Sequence, residues 1–322
     1  MRESYTTSLM RGESISKRSL TLIPKALAML ACVLMTSVHT TGHAATPKKV
    51  LVVTVTKGFR HSSIPTAEKV LAQLGEKSGL FTVEYARVEP RDPQFKNADG
   101  TVDTNKVDAA IRQVLAEKMS AAALANYDGV IFANTTGDLP LPDKQAFLDW
   151  IKSGKAFMGM HSATDTFRGH QPLDPYVEMI GAEFRHHDQQ AEVDCLNQDP
   201  KHPATKMLPS VWHVKDEIYL LNGFERTNVH GLLRLNKEPN AKTPGDYPIA
   251  WCKMYGKGRV FYTSLGHRED MWDPNTPASF KRENSKEVSE AYQQHILGGI
   301  KWALGIEKGS ATHDKPIEPA KP

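Results

Sequence analysis

The chain has 322 residues, 40% of them hydrophobic and 24% charged, with 22 Gly and 20 Pro. That is ordinary globular composition and excludes collagen, coiled coil and wholesale disorder. The formal charge of +3 is concentrated at the N-terminus: residues 1–44 hold five of the 40 basic and two of the 37 acidic side chains, leaving 35 of each. The remainder therefore has no net field with which to draw in nucleic acid.

Residues 1–44 read as a secretory signal. A basic stretch ending at Lys25 precedes an apolar run from Ala26 to Val38, and Gly42-His43-Ala44 suits a cut after Ala44. The run is too short for a stable anchor, and no later segment reaches the ~18 apolar residues of a span. A periplasmic or secreted protein without a membrane span is expected. Val50-Leu-Val-Val-Thr-Val-Thr56 is a continuous, largely β-branched run, the mark of a strand buried on both faces. Ile64 to Lys77 has helical spacing, with Ala67, Val70, Leu71 and Leu74 apolar, and Phe81 to Val88 alternates as a second strand. Arg91 to Thr104 is polar and reads as a loop. A helix from Asn105 to Glu117 leads to a strand, Gly129 to Ala133; Asp143 to Ser153 is helical, and Lys155 to Met160 is a fourth strand. Alternation at this spacing predicts parallel βαβ units.

After Gly181 the texture becomes short strands: Gln190 to Leu196, Glu217 to Leu221, Val229 to Leu235, Ile249 to Tyr255 and Arg259 to Leu265, the last two joined by a hairpin turn at Tyr255-Gly-Lys-Gly258. A helix from Val288 to Leu304 closes a single domain over residues 46–307, and the Pro-, Lys- and Glu-rich tail from Lys308 is expected to be disordered. Cys195 and Cys252 both fall in strand-like surroundings, and whether they pair is left open.

In a parallel sheet the ligand crevice lies beyond the carboxyl ends of the strands. Three histidines fall there: His61 after the first strand, His161 after the fourth and His267 after the last. Three imidazoles from three strand ends should converge on one cleft. Gly159-Met-His161-Ser-Ala has the shape of a nucleophile elbow, but with His at its apex, a better general base or metal ligand than acyl-transfer nucleophile. Ser162 is a fallback nucleophile whose simpler role is to cap the next helix. Asp138, Asp165, Glu217 and Arg60 add polar groups, and His plus carboxylate is a ligand set for Zn, Mn or Ni. In the dense trio His186-His187-Asp188, His187 is the residue expected to face inward. Trp272, just after His267, is the aromatic best placed to stack on a sugar.

Seven ordered motifs then resemble one family. Lys57-Gly-Phe-Arg-His61, Gly159-Met-His-Ser-Ala-Thr-Asp165, Gly181-Ala-Glu-Phe184, His202-Pro-Ala-Thr205, Asp216-Glu-Ile-Tyr219, Pro248-Ile-Ala-Trp251 and Gly258-Arg-Val-Phe-Tyr-Thr-Ser-Leu-Gly-His267, spread between Lys49 and Gly305, resemble the ThuA-like, trehalose-utilisation family. The resemblance implies an α/β, flavodoxin-like fold similar to class I glutamine amidotransferases: a three-layer sandwich with a mostly parallel central sheet and added antiparallel strands. It also implies work on trehalose-like disaccharides or their 3-keto derivatives, beside a sugar oxidoreductase. The amidotransferase elbow carries Cys, so His161 removes glutamine hydrolysis, whereas His267-Arg-Glu269 matches the late His-x-Glu and could supply a base and its orienter. The expected site is thus His161, His267, Glu269 and Asp165 for catalysis, and Arg60, Asp138, Glu217 and Trp272 for substrate. His61, His161, His187 and His267 would hold a divalent metal, with no nucleotide cofactor. A non-catalytic sugar-binding module is the alternative.

Overall fold

The computed structural model describes residues 46–317; the expected signal segment and residues 318–322 lie outside the described residues. The first half alternates as the sequence predicts. Strand β1 (Lys48–Val53), helix α1 (Ile64–Ser78), β2 (Phe81–Ala86), α2 (Thr104–Met119), the short α3 (Ala121–Leu124), β3 (Gly129–Ala133), α4 (Lys144–Lys152), β4 (Ala156–Met160) and α5 (Pro175–Ile180) follow in order. The second half holds β5 (Glu183–His186), β6 (Ala191–Asn197), β7 (Val211–Asp216), β8 (Leu220–Asn222), β9 (His230–Lys237), β10 (Pro244–Tyr255) and β11 (Gly258–Thr263), then α6 (Glu269–Trp272) and α7 (Lys286–Ala303). Local chemistry sets the helix ends. Asp103 accepts the N–H groups of Asn105 and Lys106 to open α2. Gly79, at φ 65°, closes α1 in a left-handed turn.

Nine strands form one sheet in the order β2-β1-β3-β4-β11-β10-β9-β6-β7. The first five are parallel, and the chain reverses its winding between β1 and β3, the flavodoxin-like switch point. The other four are antiparallel additions, and β5 pairs with β8 in a separate small sheet. Alternate residues feed two cores: Val50 and Val52 face the layer built by α1 and α7, while Leu51 and Val53 face the layer built by α2 and α4. The three-layer α/β sandwich expected from the sequence is the observed architecture.

The antiparallel half curls. Strands sit ~4.8 Å apart, so four steps across a flat sheet would hold β7 about 19 Å from β11. Instead Asp216, at the end of β7, accepts a hydrogen bond of 2.6 Å from Gly266 N, just past β11. Strand β10 breaks register with β9 at three places, and such bulges bend and twist a strand.

Two expectations change, and one open question is answered. The strand foreseen over Glu217 to Leu221 is broken, leaving Glu217 between β7 and β8. The tail foreseen as disordered from Lys308 packs as far as Asp314, because its polar groups find partners that composition does not reveal. Gly309 O accepts from Trp302 Nε1 at 3.2 Å, and Asp314 accepts from the buried Arg226 at 2.9 Å and from Gly231 N at 3.0 Å. Cys195 and Cys252 are both free and buried; β9 runs between their strands.

Candidate functional site

Each strand-end histidine is held by its own local device. After β1, the Lys57–His61 loop is laced to the loop after β3: Lys57 N donates to Thr136 O (2.8 Å), Gly58 N to Thr136 Oγ1 (3.2 Å), and Thr136 Oγ1 to Phe59 O (2.9 Å). After β4, His161 adopts φ 48°, a left-handed conformation that costs a non-glycine residue energy. Tyr262 Oη holds it by donating to His161 O at 2.7 Å. A Cβ on Gly159 would lie 2.9 Å from Ile180 Cδ1 and 3.1 Å from Ala163 Cβ, so any larger residue here would press on the elbow's packing. After β11, Gly266 is gripped on both sides. Its carbonyl accepts from Ser63 Oγ (3.2 Å), Asn134 Nδ2 (3.1 Å) and Trp272 Nε1 (2.8 Å). The Asp216 carboxylate accepts the N–H groups of Gly266 (2.6 Å), His267 (3.3 Å) and Arg268 (3.2 Å).

The three imidazoles meet. One ligand atom from each of His61, His161, His267 and Glu217 falls within 4.8 Å of the others. His161 Nδ1 donates to Ser264 O at 2.9 Å, so in the neutral ring Nε2 carries a lone pair. That lone pair faces His61 Nε2 at 3.2 Å and Glu217 Oε1 at 3.6 Å. Two imidazole nitrogens so close are satisfied only by a proton on His61 Nε2 or by a cation between them. His267 Nδ1 lies 3.2 Å from Glu217 Oε1 but off the line a hydrogen bond requires, and it is buried without a partner. Bonds of ~2.1 Å in a tetrahedral metal site give ligand–ligand edges of about 3.4 Å; three of the six pairs, at 3.2, 3.6 and 3.2 Å, lie near that value, and all four atoms fall within 4.8 Å of one another. The set fits a divalent transition metal, and the Ser264 carbonyl behind His161 is the outer partner such a ligand uses to fix its ring.

Burial, reinforced by the neighbouring His161 and His267, lowers the His61 pKa to about 2. Burial works against the charge of Glu217, but its contacts with His161 and His267 outweigh this and hold its carboxyl well below the usual range. For His267 burial is outweighed by Glu217 and Asp216, and its pKa is raised.

A family model described as trehalose utilisation, ThuA, matches residues 49–303. The chain belongs to the ThuA family. A solved ThuA-like protein from Parabacteroides merdae ATCC 43184 superposes with a TM-score of 0.55 at 19% identity, over 84% of this chain and 93% of that one. Another from Bacteroides uniformis ATCC 8492 gives 0.55 at 18% identity, over 82% and 95%. At such identity the likeness concerns the fold. No curated protein matches the chain. The family description points to a carbohydrate-related role.

In this ThuA chain His61, Glu217 and His267 of the cluster line a cleft of about 670 Å³, while His161 is wholly buried. Asp138, Asp165, Arg168 and His187 also line it; Asp165 pairs with Arg168 and Asp138 with His170 at 2.9 Å. Several expected residues stand elsewhere. His187 is not one of the four clustered ligands; its Nδ1 sits 3.2 Å from the outer oxygen of Glu217. Glu217, expected to bind substrate, occupies the centre of the cluster instead. Glu269 begins α6 and lines no part of the cleft, so the carboxylate beside His267 is Glu217. Trp272 is wholly buried and bonded to Gly266 O, which closes it to a sugar. Arg60 turns its guanidinium to Thr54 O and Glu89, both at 3.1 Å, and lines a neighbouring groove. Ser162 caps nothing; its hydroxyl lies 3.3 Å from His61 Nδ1 and orients that ring. Asp216 is the residue to which sequence reasoning gave no role of its own. Among the described residues no helix is long and apolar enough to cross a membrane.

Proposed function

We propose that this protein is an exported carbohydrate-processing enzyme that acts on a trehalose-like disaccharide or a 3-keto-glycoside, with a sugar oxidoreductase as its metabolic neighbour. The observation that carries this reading is the convergence of His61, His161, His267 and Glu217 within 4.8 Å, three of them lining an open cleft, in a member of a trehalose-utilisation family. These four residues would hold a divalent metal (Zn, Mn or Ni), which when bound supplies polarisation of a substrate carbonyl.

The remaining groups handle the proton. Asp165 accepts it from the carbon beside that carbonyl. Burial, only partly offset by Arg168, raises the Asp165 pKa above its ordinary value, which makes it a stronger base than a solvated carboxylate. Arg168 donates to Asp165 Oδ1 and fixes its direction. His187, whose Nδ1 donates to Asp188 O at 2.9 Å, stands 3.2 Å from the outer oxygen of Glu217 at the cleft wall. Removal of residues 1–44 by signal peptidase belongs to the same reading.

The test is to incubate the purified protein with 3-keto-trehalose and follow products. Turnover is expected, lost after chelation and restored by one divalent ion. Absence of turnover across a panel of keto-glycosides, with or without metals, defeats the enzyme reading; sugar binding without turnover would instead leave a non-catalytic binding module. A form confined to the cytoplasm with residues 1–44 still attached removes export from the reading.

A further inference from the structure

Phe59 is the most exposed large apolar side chain among the described residues, with 68% of its surface open. Its position is built rather than incidental. The loop that carries it is laced to Thr136 by three hydrogen bonds. The two strand-end loops also press so closely that a Cβ on Gly58 would lie 3.2 Å from Thr136 Oγ1, and one on Gly137 would lie 3.0 Å from Gly58 N. With the loop's back flush against its neighbour, the phenyl ring is turned outward over the cleft. It meets His61 in a T-shaped contact, ring centroids 4.9 Å apart at 80°, and most of its own surface stays open.

Holding a phenyl ring in water costs hydration free energy that burial would recover. The aromatic alternatives nearby are closed: Trp272 is fully buried, and Tyr219 is buried beneath Phe184 with ring centroids 4.2 Å apart. Phe184 is itself roofed by the Arg168 guanidinium at 5.1 Å. Phe59 is therefore the most open aromatic face of this cleft. A phenyl ring offers neither donor nor acceptor, so it selects a flat apolar surface, while Asp138, Asp165 and Arg168 on the same cleft address hydroxyls.

Resting on the carbohydrate reading above, we propose that Phe59 is the stacking platform for the C–H face of a pyranose ring, and so selects ring-form sugars over open-chain polyols of the same composition. The experiment is titration calorimetry of the purified protein with trehalose and 3-keto-trehalose, sorbitol serving as the open-chain control, on wild type, Phe59→Ala and Phe59→Trp, with metal content measured for each. Aromatic stacking of this kind predicts about tenfold or greater weakening in Phe59→Ala, near-wild-type affinity in Phe59→Trp, no binding of sorbitol and unchanged metal content. Unchanged sugar affinity in Phe59→Ala overturns the platform and leaves the carbohydrate reading standing. Loss of metal in Phe59→Ala overturns it too, since the ring would then serve His61 rather than a ligand. Failure of the wild-type protein to bind either sugar overturns both.

Discussion

His161 sits at φ 48°, where only Gly and, at lower cost than most, Asn are at ease. This makes Asn the informative replacement: it tolerates the backbone while removing the Nε2 that faces His61 and Glu217. For His161→Asn we expect a melting temperature close to wild type and a metal content falling from about one equivalent to near none, read by elemental analysis of the purified variant. A variant that keeps its metal would show that His161 is not one of the ligands. The three imidazoles were legible in the sequence because each comes just after a strand whose pattern announced it, and parallel strands deliver their C-terminal loops to one end of the sheet. Glu217 was visible as a polar residue, but not as their partner, since it comes from the antiparallel half. Trp272 was misread because its neighbour in sequence is His267, whereas its position on α6 tucks the ring beneath Gly266.

At the scale of elements, the site depends on the curl that brings the end of β7 to the loop after β11. The contact is the Asp216 carboxylate, both of whose oxygens accept backbone N–H groups. In Asp216→Asn one of those oxygens becomes an NH2 group aimed at an N–H, whichever way the amide is turned. An unsatisfied buried pair of this kind costs about 1–3 kcal/mol. Urea unfolding should show that loss, accompanied by weaker metal retention, because His267 is released from its anchor; a loss of stability with full metal retention would separate Asp216 from the site. The parallel elements were read to within a few residues, since continuous apolar runs and 3.6-residue spacing are local signals. The curl was not, because bulges exist only as a mismatch between two paired strands. Strand β10 illustrates this: Gly245 and Pro248 disguise its first half, which the structure shows running from Pro244.

For the molecule as a whole, histidines buried away from the cleft set a pH dependence. His295 on α7 is fully enclosed, with Nδ1 donating to Ala204 O at 2.8 Å, and burial lowers its pKa to about 4. His202, lowered to about 3 by burial and by His230, acts in the same direction. The unfolded chain takes up a proton near pH 6.5 that the folded chain refuses until about pH 4, so stability is complete above 6.5 and falls as the solution is acidified. Between pH 7 and 5 the His295 contribution is about 2 kcal/mol. Denaturant titrations at the two pH values should show this drop shrinking by that amount in His295→Leu; an unchanged drop would mean that His295 is already charged in the fold. That the fold was readable while its polar wiring was not has one cause: apolar periodicity is written locally, whereas ion pairs such as Arg226 with Asp314 join residues far apart in the chain.

The two thiols enclosed on separate strands carry a practical corollary. With Sγ atoms on β6 and β10 shut away from solvent and from each other by β9, folding needs neither an oxidant nor a disulfide-exchange catalyst. Whether the chain folds in a reducing or an oxidising solution, Cys195 and Cys252 should therefore remain thiols.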